Sequence, residues 1–129
     1  MQPIKNKQKQ VFNPPGLPPP SGPYSRAVLS GDTIYVSGIS PRKADGTPFS
    51  GTIEEETANV LENIKQILEQ VGSNIGKVLK VTVILSDAND WSKMNSVYSK
   101  YFTHDHPART TFQSKMESAK IEMDAIAHI

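Results

Sequence analysis

The sequence predicts one α+β domain with the element order ββαβαββ, in which a mixed sheet carries two helices on one face. The chain has 129 residues, the length of a single domain. Two segments with apolar residues at helical spacing alternate with β-rich runs. Each helix would connect strands that can lie parallel, which places both helices on the same side of the sheet. The other face then needs a cover, and association of several copies of the chain is the economical one.

The first residues are predicted to precede the domain. Met1 to Gln10 is polar and cationic without apolar spacing, which indicates a flexible leader over residues 1–11. A mitochondrial presequence is the alternative, which the lack of Arg and of an amphipathic pattern disfavours. Phe12 to Pro23 is rich in proline and short of backbone donors, so we expect it to run extended over the surface. The domain is predicted to cover residues 12–129.

A hairpin is predicted to begin the sheet. Two short β-rich runs between Tyr24 and Gly38 surround Gly31-Asp32, with Ile34 and Val36 on one face. The polar stretch that follows, up to Gly51, is typical of a loop.

The first helix has the clearest signals. Thr52 followed by Glu55 three residues later is a capping box, and Gly72 ends the periodic run. The positions at helical spacing are Ile53, Thr57, Val60, Leu61, Ile64, Ile67, Leu68 and Val71.

Residues 77–87 alternate in the manner of a central strand covered on both faces. One face is predicted to hold Leu79, Val81, Val83 and Leu85. Val78 and Ile84 on the other face, with Ile126 of the last strand, are the residues that could meet another chain.

The second helix and two further strands complete the domain. Asp87 or Asn89 is predicted to cap the helix. Its core positions are Trp91, Met94, Val97, Tyr98 and Tyr101. β-rich runs then cover Arg109 to Gln113 and Lys120 to Ala127. The last run places Ile121, Met123, Ala125 and Ala127 on one side.

Composition excludes cysteine chemistry and gives no support for some other classes of function. There are 14 Lys and Arg against 13 Asp and Glu, interspersed, so no strong positive field supports nucleic-acid binding. The absence of cysteine excludes disulfides, thiol nucleophiles and thiolate metal sites. No apolar run approaches the roughly 20 residues of a membrane span, so we expect a soluble, cytoplasmic protein, with a mitochondrial location as the alternative.

Two histidines raise the question of a metal. His104 and His106 flank Asp105, but no further ligands stand at suitable spacing, so no metal is expected. The sequence also holds no glycine-rich phosphate loop and no Ser/His/Asp arrangement for nucleophilic catalysis.

Arg109 stands out because it opens a strand directly after Pro107, with Thr111 on the same strand face. If this strand pairs with the next, Arg109 and Glu122 could share a sheet face. Spacing alone then favours a surface salt bridge, worth at most about 1 kcal/mol. An anion-binding site is the alternative.

The chain from about Phe12 to Ala127 resembles the reactive intermediate deaminases, also called the YjgF or RidA family. The motifs that carry the resemblance are "SGPYSRAV", "IYVSG", "ENIKQILEQVGS", "VLKVTVILSD", "MNSVYSKYF", "PARTT" and "IEMDAIA". The resemblance implies a chorismate-mutase-like fold and a homotrimer with a central barrel and clefts between subunits. It also implies hydrolysis of enamine or imine acids, such as 2-iminobutanoate and 2-iminopropanoate, to 2-oxo acids and ammonia, without metal or cofactor.

Roles for single residues follow from the same resemblance. Arg109 matches the arginine that grips the substrate carboxylate, where its planar guanidinium can bond both oxygens. Glu122 matches the glutamate that orients or activates the attacking water. The residues implied to line the cleft and hold the substrate are Tyr24, Asn95, Ser37, Gly38 and Thr111, the last through its backbone N–H.

The chain departs from the family pattern in several places, among them Ile39 and Arg26, where glutamine is frequent in the family. "QSKMESAK" forms a shorter turn before Glu122, so the register of Glu122 rests on the residues that follow it. "SGISPRKADGTPFSG" is closer to 2-aminomuconate deaminases. The alternatives are therefore a 2-aminomuconate-type deaminase acting on a bulkier or dicarboxylic enamine, a non-catalytic trimer that binds small carboxylates, and the ribonuclease activity attributed to some relatives.

Overall fold

Six strands and two helices make up residues 8–129, the part of the chain that the computed structural model describes. The strands are β1 Gln10–Phe12, β2 Ala27–Ser30, β3 Thr33–Ile39, β4 Val78–Leu85, β5 Ala108–Gln113 and β6 Ile121–His128. The helices are α1 Ile53–Gln70 and α2 Trp91–Tyr101. The predicted α+β class and the order ββαβαββ are confirmed, with one short strand added in front.

The strands form one mixed sheet in the order β1-β2-β3-β6-β4-β5. Only β4 and β5 are parallel neighbours, because β6 lies between β3 and β4 and pairs antiparallel with both. Helix α1 packs on β3 and β6, and α2 packs on α1, so both helices cover the same face as predicted. The core between these layers includes Ile34, Leu61, Val83, Met94 and Met123, all fully buried.

Strand β1 overlaps the end of the predicted leader. Gln10 and Val11, which the sequence analysis assigns to the leader, form the edge strand β1, with Val11 opposite Val28. A valine and a phenylalanine favour a strand here, and Phe12 packs partly against the core. Residues 1–7 of the predicted leader lie outside the described residues.

Local signals place the hairpin and α1 correctly. Gly31 takes a positive φ of 60° in the turn between β2 and β3. Thr52 accepts a hydrogen bond from the Glu55 N–H at 3.1 Å, and Glu55 accepts one from the Thr52 N–H at 2.9 Å. Both bonds of the predicted capping box are therefore present, and the bond that the Thr52 N–H donates to the Glu55 carboxylate lowers the pKa of Glu55.

Strand β4 differs from the prediction at its start. A bulge between Val78 and Lys80 shifts the register against β6. The prediction for Leu79 is therefore wrong, since its side chain is 50% exposed, while Val78 is buried and cannot meet another chain. Val81, Val83 and Leu85 are buried as predicted.

Helix α2 starts through a short 3₁₀ turn. Asp87 accepts a hydrogen bond from the Asn89 N–H at 2.9 Å and so caps this turn, whereas α2 itself has no side-chain cap. Met94, Val97 and Tyr98 are buried as predicted. Trp91, which was predicted to lie in the core, is 41% exposed. Neither α1 nor α2 is long and apolar enough to cross a bilayer.

The sheet face opposite the helices is uncovered, and we call it the open face. A row of paired residues crosses it from edge to edge: Val11, Val28, Tyr35, Ile126, Lys80 and Ala108. Tyr35 is 48% exposed, and Ile84 and Ile126 are half-buried. The single chain thus leaves apolar side chains of its sheet in contact with solvent.

Candidate active site

Arg109 and Glu122 project from opposite faces of the sheet. Both lie beside β4, Arg109 opposite Val81 and Glu122 opposite Ile84. Val81 points into the core and Ile84 onto the open face, so Arg109 faces the helices and Glu122 faces away from them. The expectation of a shared face depended on pairing between β5 and β6, which does not occur because β4 lies between them. The registers of β5 and β6 against β4 place the two side chains on opposite faces. A salt bridge between them within one chain is therefore excluded.

Arg109 belongs to a cavity of about 340 Å³ beside α2. We call this cavity the Arg109 half-site, and its walls are Asn95, Tyr98, Ser99, His106, Pro107 and Arg109. The Arg109 Nη1 donates to Asn95 Oδ1 at 2.8 Å. Its guanidinium carbon lies 4.7 Å from the centre of the Tyr98 ring and 5.7 Å from that of Trp91.

These contacts orient Arg109 without neutralising it. Amide and aromatic partners hold the plane of the guanidinium through a hydrogen bond and cation–π contacts. Within residues 8–129 no carboxylate pairs with Arg109. The remaining N–H donors are thus free to bind an anion.

Tyr98 is a residue of this half-site that the sequence analysis assigns only to the core. Its ring does pack on Phe102, with ring centres 4.6 Å apart. Its hydroxyl is buried without a hydrogen-bond partner, and burial raises the pKa of Tyr98 although Arg109 acts in the opposite direction. The hydroxyl therefore remains protonated at neutral pH and can donate. The sequence could have indicated this, because Tyr98 follows Asn95 by three residues and so lies on the same face of the helix.

The backbone of β5 adds donors beside Arg109. The Ser114 N–H donates to Leu85 O at 3.0 Å, toward β4. Because N–H directions alternate along a strand, the N–H groups of Arg109 and Thr111 point the other way, toward the free edge of the described sheet. The Thr111 N–H is therefore not used by β4, although Thr111 is not among the residues that line the Arg109 half-site.

Glu122 belongs to a second cavity, of about 410 Å³, which we call the Glu122 half-site. Its polar and charged walls are Ser21, Tyr24, Arg26, Ser40, Arg42 and Glu122. The Ser40 hydroxyl donates to Glu122 Oε1 at 3.1 Å, a contact that the sequence analysis missed. Of the predicted cleft residues, Tyr24 and Gly38 line this cavity, whereas Asn95 lies with Arg109.

The Glu122 carboxylate closely approaches the backbone at Gly38. A Cβ at residue 38 would lie 2.7 Å from Glu122 Oε2. The approach arises from a bulge in β3, where the register against β6 shifts between Val36 and Ile39. Ser37, in the same bulge, donates its hydroxyl to Ser25 O at 2.6 Å and lines neither cavity.

The register of Glu122 is fixed despite the short turn before it. Pairing of β6 with β4 is continuous from Ile121 to Asp124. Just ahead, the buried carboxylate of Glu56 accepts from the Lys120 N–H at 2.8 Å and from the Gly51 N–H at 3.2 Å. The Lys120 ammonium also lies 3.3 Å from Glu56 Oε2. These contacts tie the start of β6 to the start of α1.

Residues 104–106 are not part of a metal-binding cluster of described residues. No group of three His, Asp or Glu side chains within residues 8–129 is arranged to hold a metal ion. His104 Nδ1 lies 3.0 Å from the Thr103 hydroxyl, and Asp105 takes a positive φ of 48°. His106 lines the Arg109 half-site.

Comparisons with a family profile, with known sequences and with solved structures each match most of the chain. The profile of the family described as "Endoribonuclease L-PSP" matches residues 16–129. A RutC family protein of Pyrococcus abyssi is 45% identical over 93% of this chain and 97% of its own. The human 2-iminobutanoate/2-iminopropanoate deaminase is 37% identical over 92% of this chain and 89% of its own. The crystal structure of the YjgF gene product of E. coli superposes with a TM-score of 0.83 at 30% identity, covering 92% of this chain and 98% of that one.

Proposed function

The chain belongs to the reactive intermediate deaminase (RidA/YjgF) family, and on this premise we propose that it hydrolyses imine or enamine acids to 2-oxo acids and ammonia. The observation that carries the proposal is Arg109, which Asn95 and two aromatic rings orient and which no described carboxylate neutralises. Such a guanidinium is suited to the carboxylate that all these substrates share. The name of the human relative supports imine acids such as 2-iminobutanoate and 2-iminopropanoate as substrates.

The active site is proposed to form between copies of the chain. Each half-site holds only part of the machinery, since Arg109 and Glu122 face opposite sides of the sheet. In a chorismate-mutase-like homotrimer the open faces join into a central barrel and cover their apolar side chains. The Arg109 half-site of one copy then meets the Glu122 half-site of its neighbour.

The proposed mechanism uses the two half-sites in turn. Arg109 and the Thr111 N–H hold the substrate carboxylate, while Asn95 and Tyr24 line the cleft on either side. Glu122, oriented by Ser40, positions a water against the protonated C=N carbon and accepts one of its protons. The carbinolamine then expels its nitrogen as ammonia and leaves the 2-oxo acid. Free imines already hydrolyse in water, so positioning and modest electrostatics suffice.

A competition assay tests the reaction. A dehydratase acting on threonine supplies 2-iminobutanoate, and semicarbazide traps whatever imine remains. The protein should lower the rate of semicarbazone formation, and Arg109→Ala should abolish this effect. Lys93→Ala, which removes an exposed cation of α2 away from both cavities, serves as the matched control. Equal protection by the Arg109→Ala variant would exclude the mechanism.

The same assay separates the alternatives. A non-catalytic trimer that binds small carboxylates would bind 2-oxobutanoate without lowering the amount of trapped imine. A 2-aminomuconate-type deaminase would act better on a larger enamine with a second carboxylate. The expectations of no cofactor, of no nucleic-acid partner and of a cytoplasmic or mitochondrial location stay predictions.

A further inference from the structure

The Glu122 half-site carries more positive charge than the proposed reaction needs. Two arginines, Arg26 and Arg42, line it together with one acidic residue, Glu122, and Arg42 also lines a neighbouring cavity. Within residues 8–129 neither arginine forms an ion pair. Much of the remaining wall is proline, which offers no backbone N–H. The cavity is therefore arranged to receive an anion in addition to the reacting group.

Arg26 is held in place by its own segment. Its backbone N–H donates to Asn13 Oδ1 at 3.0 Å, and its Nη2 donates to Pro18 O at 3.1 Å. The Nε atom is buried and has no hydrogen-bond partner. One end of the guanidinium is thus anchored, while other donors are unused.

Arg42 is positioned by a loop that is fastened to α1. Its backbone N–H donates to Asn59 Oδ1 and its carbonyl accepts from Asn59 Nδ2, both at 2.8 Å. The loop closes on itself where the Phe49 N–H donates to Pro41 O at 3.2 Å. The Arg42 side chain makes no hydrogen bond with a described residue, and its Nε is buried without a partner. A rigid backbone therefore presents a guanidinium that lacks a protein acceptor.

We propose that Arg26 and Arg42 bind a second carboxylate of the substrate, so that the preferred substrates are the imines of amino dicarboxylic acids, such as 2-iminosuccinate. This inference rests on the proposed function. Arg109 of one copy holds the carboxylate next to the C=N bond, and Glu122 of the next copy places water at the reacting carbon. The substituent on that carbon then extends into the cavity that ends at Arg26 and Arg42. Water adds to C=N and the nitrogen leaves as ammonium, while the second carboxylate is unchanged.

Selectivity is the readout that tests this assignment. Aspartate and an amino acid oxidase, with oxygen and catalase, supply 2-iminosuccinate, and threonine with a dehydratase supplies 2-iminobutanoate. Competition with semicarbazide gives kcat/KM for each imine. The ratio of the dicarboxylic to the monocarboxylic value should fall about tenfold in Arg26→Gln and again in Arg42→Gln, the loss expected for one charge-assisted contact. Lys43→Gln removes the neighbouring exposed cation, which does not line this cavity, and should leave both values unchanged.

Two results separate failure of the inference from failure of the proposed function. If the protein hydrolyses 2-iminobutanoate and the ratio is the same in both arginine variants, the second subsite does not exist although the deaminase does. If neither imine is hydrolysed, the proposed function fails. Calorimetry then decides the ligand class, because 2-oxoglutarate should bind more tightly than 2-oxobutanoate and lose that preference in Arg26→Gln and Arg42→Gln. Equal affinity for both ligands in the native protein overturns the inference.

Discussion

The Arg109 half-site and the Glu122 half-site are built in different ways. Regular structure positions the first, since Arg109 is the second residue of strand β5 and Asn95 and Tyr98 lie on one face of α2. Irregular structure forms the second, where Arg26 and Arg42 come from loops and Gly38 lies in a bulge. If the proposed function holds, the difference teaches that helices and strands bind the carboxylate common to all proposed substrates. The groups that distinguish one proposed substrate from another would then contact the loops.

The largest expected effect separates binding from turnover. Glu122→Gln should lower kcat/KM for 2-iminobutanoate about a hundredfold or more, because a general base is lost. It should leave calorimetric binding of 2-oxobutanoate nearly intact. Arg109→Lys keeps the charge but loses the bidentate fork, so it should weaken that binding about tenfold. The reverse pattern, with binding lost in Glu122→Gln and kept in Arg109→Lys, would contradict the division of roles.

Local signals allowed much of this to be predicted from the sequence. The capping box at Thr52, the turn at Gly31 and the alternation in β6 each depend on neighbouring residues, and all are present. The roles proposed for Arg109 and Glu122 came from family motifs and stay predictions. Their separation on two faces could not be predicted, because it depends on β4 lying between β5 and β6 and on its register with each.

The wrong predictions share a physical cause. Each concerns a feature that depends on contacts between distant parts of the chain and not on the spacing of neighbouring residues. The bulge in β4 exchanged the exposures of Val78 and Leu79. Tyr98 combines a packed ring with a hydroxyl in the Arg109 half-site, and helical spacing reveals only the ring. Arg26 and Arg42 line one cavity only after the hairpin and the loop to α1 have folded.

A smaller effect is expected from the bulge in the Glu122 half-site. Gly38→Ala places a Cβ where Glu122 Oε2 now lies, so the carboxylate must move and kcat/KM should fall about tenfold. In a Glu122→Gln background the same substitution should add little, because both act on one group. Additive losses in the double variant, measured with the semicarbazide assay, would show that Gly38 acts independently of Glu122.

The smallest effects come from two tyrosines of α2 that should respond in opposite ways. The Tyr98 hydroxyl has no partner, so Tyr98→Phe should leave the free energy of unfolding unchanged or raise it by up to about 1 kcal/mol. It should weaken 2-oxobutanoate binding about threefold, because the hydroxyl is proposed to donate to the ligand.

Tyr101 lies within hydrogen-bond distance of Ala58 O and of Glu62. Tyr101→Phe should therefore lower the free energy of unfolding by about 1 kcal/mol and leave ligand binding unchanged. Urea denaturation and calorimetry check both, and equal destabilisation with unchanged binding in both variants would remove Tyr98 from the Arg109 half-site.

Subunit complementation tests most directly whether one active site takes Arg109 and Glu122 from different copies. Arg109→Ala and Glu122→Gln chains, each inactive alone, are unfolded together in equal amounts and refolded. In a cyclic trimer with random mixing, about a quarter of the clefts receive an intact Arg109 from one chain and an intact Glu122 from the next. The account predicts that about this fraction of native imine hydrolysis returns. Mixed oligomers that form but remain inactive would contradict it.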